Sequence, residues 1–223
     1  MSLPTLDPVE TRVVGALAEK ALATPDHYPL TVNALISACN QKSSRDPVTD
    51  HSEREVRDAV ERLMRRNLAG TTTGSGHRAI KMRHLLDRAL DLSRRELAVL
   101  TVLLLRGAQT AGEIRTRTNR LADFVDVADV EETLWLLSDR DEPLVVQLPR
   151  APGQSTDRFA HRLSGNVDLE VESVPSEVLE PTSRADNPTP TETRSDLEDR
   201  VVALEAEVER LGRELAAFKA SFE

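Results

Sequence analysis

The sequence LDPVE at residues 6–10 has a counterpart of the same pattern in LSRRE at residues 92–96, and this repeat decides the fold. In both places a residue that can cap a helix, Asp7 or Ser93, stands three positions before a glutamate and ahead of an apolar run. In such a capping box the two side chains satisfy free backbone N–H groups at the start of a helix. A helix is therefore predicted to begin at each of these places.

The repeat continues beyond the helix starts. Three residues reappear 79 positions later: Thr31, Leu35 and Asn40 correspond to Thr110, Ile114 and Asn119. An apolar trio reappears 74 positions later: Val56, Val60 and Leu63 correspond to Val130, Leu134 and Leu137. The segment KMRHLL at residues 81–86 is matched by RFAHRL at residues 158–163. A repeat of this kind predicts two small modules of roughly 75 to 85 residues each.

Each module has the periodicity of three helices followed by two strands. Thr31 and Thr110 are predicted to cap a second helix, and apolar residues spaced by three and four predict a third helix near Ser52–Arg66 and Val127–Asp139. The period then changes to two around the glycine-containing turns at residues 74–76 and 151–153, which predicts a β-hairpin. This order is typical of a winged helix, a variant of the helix-turn-helix.

The predicted fold class is thus mainly α with short β-hairpins (α+β), built as tandem winged helix-turn-helix domains. We assign residues 1–87 to the first domain and residues 88–165 to the second, and we expect each to bury its own aliphatic stripe independently. Two helical bundles with incidental hairpins are the alternative, because the strand signals are short.

The last quarter of the chain differs from the rest. Residues 166–195 contain four prolines among acidic and hydroxyl side chains and predict a flexible acidic linker. Residues 196–223 carry an apolar heptad seam, which predicts a coiled-coil helix that forms a homodimer. The predicted dimerisation residues are Leu197, Val201, Leu204, Val208, Leu211, Leu215 and Phe218. A helix that folds back onto its own body is the alternative, because fewer than four heptads with Gly212 among them make a marginal zipper.

Composition narrows the classes of function. The formal charge of −9 comes from residues 166–223, which have 6 basic and 15 acidic side chains. Residues 1–90, in contrast, have 13 basic and 11 acidic side chains. The one cysteine, Cys39, excludes an intrachain disulfide framework. No apolar run approaches the roughly 20 residues of a membrane span, and the N-terminus lacks the pattern of a signal peptide. We therefore expect a cytoplasmic protein without a membrane partner.

The polar residues that could contact duplex DNA or a protein partner fall into three groups. They lie in the loop after the second helix and at the start of the third, in the first hairpin, and on the second helix of the second module. The candidate contact residues are Asn40, Gln41, Lys42, Arg45, Arg54, Arg57, Arg78, Lys81, Arg83, Arg115, Arg117 and Arg120. Asn, Gln, Lys and Arg are the side chains that read phosphates and base edges. An internally hydrogen-bonded loop and a solvated hairpin are the alternatives, since carboxylates are interspersed with these residues.

No pattern of catalytic residues or cofactor ligands is present. His84 and His161 occupy equivalent places in the hairpins, but neither has a second ligand at metal-binding spacing, and we expect each to fix its hairpin through a hydrogen bond. Cys39 has no evident base partner and is expected to be a small core residue. Nucleophile-elbow and phosphate-binding glycine motifs are absent from the sequence. We therefore expect no enzyme activity, no metal and no cofactor.

Several strings resemble the YceH-like family of uncharacterised bacterial proteins. The strings are ATPDHYPL at residues 23–30, NAL at 33–35, ACNQKSSRDP at 38–47, RGAQTAGEIR at 106–115 and RFAH at 158–161. The resemblance runs from about Leu6 to Gly165. It implies a tandem winged-helix fold, and it implies no established activity, cofactor or catalytic residue.

Two hypotheses of function follow from the sequence. In the first, a dimer presents the third helix, the loop and the first hairpin to duplex DNA, as a transcription regulator does. In the second, the winged-helix modules form a scaffold for a protein partner without contacting DNA, which fits the mixed charge of the third helix. An enzyme that uses Cys39 or His84 is the third alternative.

Overall fold

The computed structural model of the chain describes residues 3–72, 80–150 and 156–165. It is an α+β fold of helices and small antiparallel sheets. In the first half the elements are α1 (Pro8–Ala23), a 3₁₀ turn (Pro25–His27), α2 (Val32–Cys39), α3 (Glu53–Arg65), β1 (Ala69–Thr72) and β2 (Lys81–His84). A short helix, α4 (Leu86–Ala89), leads to the second half. There the elements are α5 (Arg94–Arg106), β3 (Gln109–Thr110), α6 (Ala111–Arg117), α7 (Val127–Ser138), β4 (Val145–Leu148) and β5 (Arg158–His161).

The predicted helix starts are confirmed. Capping boxes begin α1 at Asp7 and α5 at Ser93, where the glutamate three residues later accepts from the backbone N–H of the capping residue. The same two glutamates also bind an arginine that lies in the last turn of the third helix of their half or just after it. The Oε1 atom of Glu10 accepts from Nε of Arg62 at 3.0 Å, and Oε1 of Glu96 accepts from Nη2 of Arg140 at 2.7 Å. The sequence repeat is therefore also a repeat of contacts.

Both halves carry a hairpin with a further strand segment beside it. Ala69 pairs with His84 in the first hairpin, and Val145 pairs with His161 in the second. Leu30 forms a single bridge with Met82, and at the equivalent place Gln109 of β3 pairs with Phe159. The sequence indicated neither of these extra pairings, because one or two residues are too few to establish a period. The predicted turns at residues 74–76 and 151–153 lie outside the described residues.

The two halves do not bury their aliphatic stripes independently, so that expectation is wrong. One continuous core contains side chains of both halves, and both halves belong to one compact unit. Helices α1 and α5 lie at its centre, where every residue from Glu10 to Ala18 and from Glu96 to Leu105 is buried. Backbone hydrogen bonds also join the halves: Leu6 N donates to Leu163 O at 2.6 Å, and Asp46 N donates to Leu105 O at 2.9 Å.

The predicted boundary between residues 87 and 88 falls within α4. The segments at 166–195 and 196–223, with their predicted linker and coiled coil, lie outside the described residues.

Gly15 is the point of close approach between α1 and α5. A Cβ atom placed there would lie 3.0 Å from Cδ2 of Leu105 and 3.2 Å from Cβ of Leu104. We expect Gly15→Leu to lower the free energy of unfolding by about 1–3 kcal/mol, measured by urea denaturation, because added methylenes have no space in a packed core. Gly112→Leu is the matched control, since a Cβ at Gly112 of α6 meets nothing within 4 Å. Equal stability of the two variants would contradict the close packing of α1 on α5.

Candidate functional site

The loop between α2 and α3 is closed by Asn40. Its Oδ1 atom accepts from the backbone N–H of His51 at 2.9 Å, and its Nδ2 atom donates to the carbonyl of His51 at 2.8 Å. Both ends of the amide are therefore used inside the protein. Asn40 fixes the entry of the chain into α3, and its side chain is not free to read a base edge.

Arg45 is buried, and its predicted contact with a partner is corrected to an internal role. Its side chain is 0% exposed. Nε and Nη2 donate to the carbonyl of Ala38 at 3.0 and 2.8 Å, while Nη1 and Nη2 donate to the two carboxylate oxygens of Glu19 at 3.0 and 2.7 Å. Burial by itself raises the pKa of Glu19, but the hydrogen bonds and charges of Arg45 and, to a smaller extent, Lys20 outweigh burial and hold that pKa below its usual value. The pair joins the loop to α1.

The other two loop residues differ from each other. Oε1 of Gln41 accepts from Nη2 of Arg45 at 3.1 Å and from Nζ of Lys20 at 3.3 Å, so Gln41 extends the internal network. Lys42 is exposed. Of the four predicted loop contacts, Lys42 alone presents its side chain to solvent without an internal role.

Arg12 of α1, which the sequence analysis missed, is also buried and donates from Nη2 to the carbonyl of Pro47 at 2.5 Å.

Helix α3 is a surface of balanced charge. It carries four basic residues, Arg54, Arg57, Arg62 and Arg65, and four acidic residues, Glu53, Glu55, Asp58 and Glu61. The Nε atom of Arg57 donates to Oε1 of Glu53 at 2.7 Å. Arg54 is 91% exposed at its side chain and lies 3.8 Å from Asp58. Both predicted contact arginines thus have a carboxylate neighbour one helical turn away.

The remaining predicted contacts lie on two other elements. Lys81 and Arg83 are partly exposed on β2, and Arg78 lies outside the described residues. On and after α6, Arg115 donates to Oδ1 of Asn119 and Arg117 lies 3.3 Å from Glu113, whereas Arg120 is exposed. No hydrogen bond or ion pair described for these residues joins the β2 group to the α6 group.

A groove in the second half is the site that the sequence analysis missed. It has a volume of about 950 Å³ and lies between α7 and the β4–β5 hairpin, with the start of α6 at one end. Val127, Glu131 and Trp135 of α7 line one side, spaced by four residues, and Val146 and Phe159 line the hairpin side. Trp135 is 60% exposed and Val127 is 40% exposed. Large apolar side chains clustered at the surface commonly mark a site of interaction.

The repeat shows how the groove differs from its counterpart. Counting 74 positions back from Val127, Glu131 and Trp135 gives Glu53, Arg57 and Glu61 of α3. The same helix positions therefore carry two apolar residues and a carboxylate in the second half, and three charged residues in the first. The signal in the sequence was the single tryptophan of the chain, placed on the face of α7 opposite the buried residues Val130, Leu134 and Leu137.

The residues with potential for chemistry are enclosed in the fold. Cys39 is buried, and burial raises the pKa of its thiol to about 12, which leaves a protonated and poorly nucleophilic group. The Nδ1 atoms of His84 and His161 are buried without a hydrogen-bond partner, so neither Nδ1 atom provides the hydrogen bond that was expected to fix the hairpin. Within residues 3–72, 80–150 and 156–165, no cluster of three or more His, Cys, Asp or Glu side chains could hold a metal ion.

Comparison with known proteins places the chain in a family. A family described as "Protein of unknown function, DUF480" matches residues 6–154. The chain belongs to this family. A UPF0502 protein of Geobacter sulfurreducens is 46% identical over 208 residues, which cover 92% of this chain and 90% of that protein. A UPF0502 protein of Pectobacterium atrosepticum is 44% identical and covers 96% of this chain and 98% of its own length.

A UPF0502 protein of Vibrio cholerae is 49% identical over 169 residues, or 74% of this chain and 78% of that protein. The resemblance inferred from the sequence, to an uncharacterised bacterial family, is thereby confirmed, and the YceH-like name is compatible with it. Among the described residues of this DUF480 member, no helix has the length and apolar character needed to cross a bilayer. The predicted dimerisation residues lie outside the described part of the chain.

Proposed function

We propose that this chain is a tandem winged-helix protein that acts as a non-enzymatic, cytoplasmic scaffold for a protein partner. Two observations support the winged-helix assignment: each half has three helices and then a hairpin, and each has a further strand contact beside that hairpin. In this architecture the third helix and the hairpin form the surface that meets a partner. The C-terminal heptad seam is proposed to hold two copies together, as the sequence predicts.

The observation that carries the proposal is the groove beside α7. Trp135 and Val127 lie exposed at positions where the first half has charged residues, and α7 carries three acidic and no basic residues. Exposed aromatic side chains in a groove are typical of binding hot spots between proteins. Glu131, the α7 carboxylate that lines the groove, disfavours a phosphate backbone next to α7. The face therefore suits a protein better than a nucleic acid.

A second candidate is the binding of duplex DNA by the first half. It is favoured by one observation: Lys42, in the loop after α2, and Arg54, in the first turn of α3, have exposed side chains that could approach a phosphate, although Arg54 lies 3.8 Å from Asp58. The balanced charge of α3 and the internal roles of Asn40 and Arg45 weaken this candidate.

The two candidates predict different crosslinks. With the photoreactive residue p-benzoylphenylalanine at position 131, we expect a discrete protein adduct after irradiation of cells, because Glu131 lines the groove. The same residue at position 61, which is the equivalent position of Trp135 on α3, is the control and should give no such adduct. The adducts are resolved by electrophoresis after nuclease or protease treatment. The photoreactive residue is also placed at position 54, on the α3 surface of the DNA-binding candidate. Nuclease-sensitive adducts from position 131 or from position 54 would contradict the scaffold function and support DNA binding.

A further inference from the structure

The groove beside α7 has two walls of opposite formal charge. On the α7 wall, Glu131 is the charged residue among those described as lining the groove. On the hairpin wall, Arg150 and Arg162 outnumber Asp157. The Nη2 atom of Arg150 lies 3.1 Å from Oδ2 of Asp157, so Arg162, which also has an interaction within its own chain, provides the excess. The described lining is therefore neutral in total, with one negative wall and one positive wall.

This balance disfavours an occupant that carries charge of one sign. A phosphate backbone needs a surplus of cations, and a strongly basic or acidic peptide needs a surplus of the opposite charge. The other carboxylates of α7 supply none, because Asp129 lies 3.4 Å from Arg95 and Glu132 is not part of the lining. The occupant that fits best is neutral in total, with a cation facing α7 and an acid facing the hairpin.

The groove is also apolar, and the apolar surface continues beyond it. Trp135 and Val127 of the lining are exposed, and so are Leu136 of α7 and Val125 just before the helix. Interfaces between identical subunits are more apolar than the rest of the protein surface, and interface cores are enriched in aromatic residues and arginine. The groove and its surroundings have this composition.

We propose that the groove binds the same groove of a second copy of this chain around a two-fold axis. The α7 wall of each copy then lies on the hairpin wall of the other, and Glu131 faces the partner's Arg162. A second copy meets the charge requirement because its two walls carry the same charges in reverse order. The proposal rests on the scaffold function proposed above and names the protein that fills the groove. The proposed heptad seam favours this occupant, since tethering keeps a second groove at an effective concentration on the order of 1 mM.

Photocrosslinking of the purified full-length protein tests this contact. Unlabelled and isotope-labelled copies, both with p-benzoylphenylalanine in place of Val127, are mixed until their subunits have exchanged, and are then irradiated and digested. A crosslinked pair of peptides that carries both labels comes from two chains, which mass spectrometry establishes. We expect such mixed-label pairs to join α7 to the β4–β5 hairpin. The same photoreactive residue in place of Glu53, the equivalent position on α3, is the control and should give no mixed-label pairs.

Tryptophan emission measures the strength of the contact. Trp135 is the only tryptophan, so the emission of the full-length chain comes from the groove and moves to longer wavelength when the copies separate on dilution. Glu131→Lys places a repulsion against the partner's Arg162 and should raise the midpoint concentration of this change about tenfold. Glu132→Lys adds the same charge to α7 outside the lining and should change the midpoint by less than about twofold. Every chain also carries Leu204→Asp, which weakens the proposed seam so that dilution can separate the copies. Circular dichroism establishes that each variant is folded.

Four results would overturn the proposal. These are the absence of mixed-label pairs from position 127, equal yields from positions 127 and 53, adducts that join position 127 to residues 196–223, and equal effects of Glu131→Lys and Glu132→Lys. The third would indicate that the C-terminal segment fills the groove. If purified protein gives no mixed-label pairs while position 131 crosslinks to a different protein in cells, the scaffold function stands and its assigned partner is wrong. If neither adduct forms, both proposals fail.

Discussion

Replacement of Arg45 by alanine is expected to lower the free energy of unfolding by about 3–5 kcal/mol, as is usual when one partner of a buried ion pair is removed. The variant leaves the Glu19 carboxylate and the Ala38 carbonyl without the donors that now bind them at 2.7 and 2.8 Å. Glu19 retains 14% exposure of its side chain, so water offsets part of the loss and the lower end of the range is expected. Urea denaturation at pH 7 measures the effect.

The controls for Arg45 come from the same half of the chain. Arg54→Ala removes an arginine that is 91% exposed and should change the stability by no more than about 0.5 kcal/mol. Arg45→Lys keeps the charge but loses the planar fork that reaches Glu19 and Ala38 together, so it should recover only part of the loss. If Arg45→Ala were as stable as Arg54→Ala, the internal role of Arg45 would be refuted and its assignment as a partner contact would be reopened.

The local features of the fold were predictable because their signals are short in sequence. A capping residue and a glutamate three positions later determine where α1 and α5 begin, and both are visible in the sequence without any tertiary information. The repeat added the order of the elements, since a spacing that occurs twice is unlikely to be accidental. These predictions depend on contacts within one turn of a helix or one hairpin.

The shared core was not predictable in the same way. An apolar stripe on α1 was recognised, but the opposite face is buried as well, because α5 packs against it. Gly15, Ala16 and Ala18 were the available signal, since small residues allow two helices to approach closely, but small residues are also ordinary in an isolated helix. Only the packing of α1 against α5 shows that these small residues lie at a helix–helix contact.

The internal role of Arg45 was missed for a related reason. Arg45 and Glu19 are 26 positions apart, so their pairing has no local signature, and a polar loop with an arginine resembles a binding loop equally well. Trp135 was overlooked because an aromatic residue in a helical pattern is usually assigned to the core. Alignment of the two halves would have placed Trp135 opposite Glu61, a position that is exposed in both helices.

Acid is expected to destabilise the wild-type chain more than the variant His161→Leu. Burial lowers the pKa of His161 from 6.5 to about 4, because the charged ring would lose its hydration there, and Nδ1 has no hydrogen-bond partner that would offset this loss. In the unfolded chain the same ring takes up a proton below about pH 6.5. The contribution of neutral, buried His161 to the free energy of unfolding is therefore fully present above pH 6.5. It is lost as the pH falls from 6.5 to about 4, and it changes no further below pH 4.

The full loss amounts to about 3 kcal/mol at most, from roughly 1.4 kcal/mol per unit of pKa. The quantity to measure is the difference in unfolding free energy between wild type and His161→Leu at pH 7.5 and at pH 4.2, from urea melts. It should shift in favour of the variant by about 2–3 kcal/mol on acidification. His84 and Glu19 also have lowered pKa values and contribute to the pH dependence of stability. Their contributions are common to both proteins, so they cancel in the difference between wild type and variant. The exposed His27 provides the control His27→Leu, and a shift of equal size in that variant would show that the burial of His161 is not the cause.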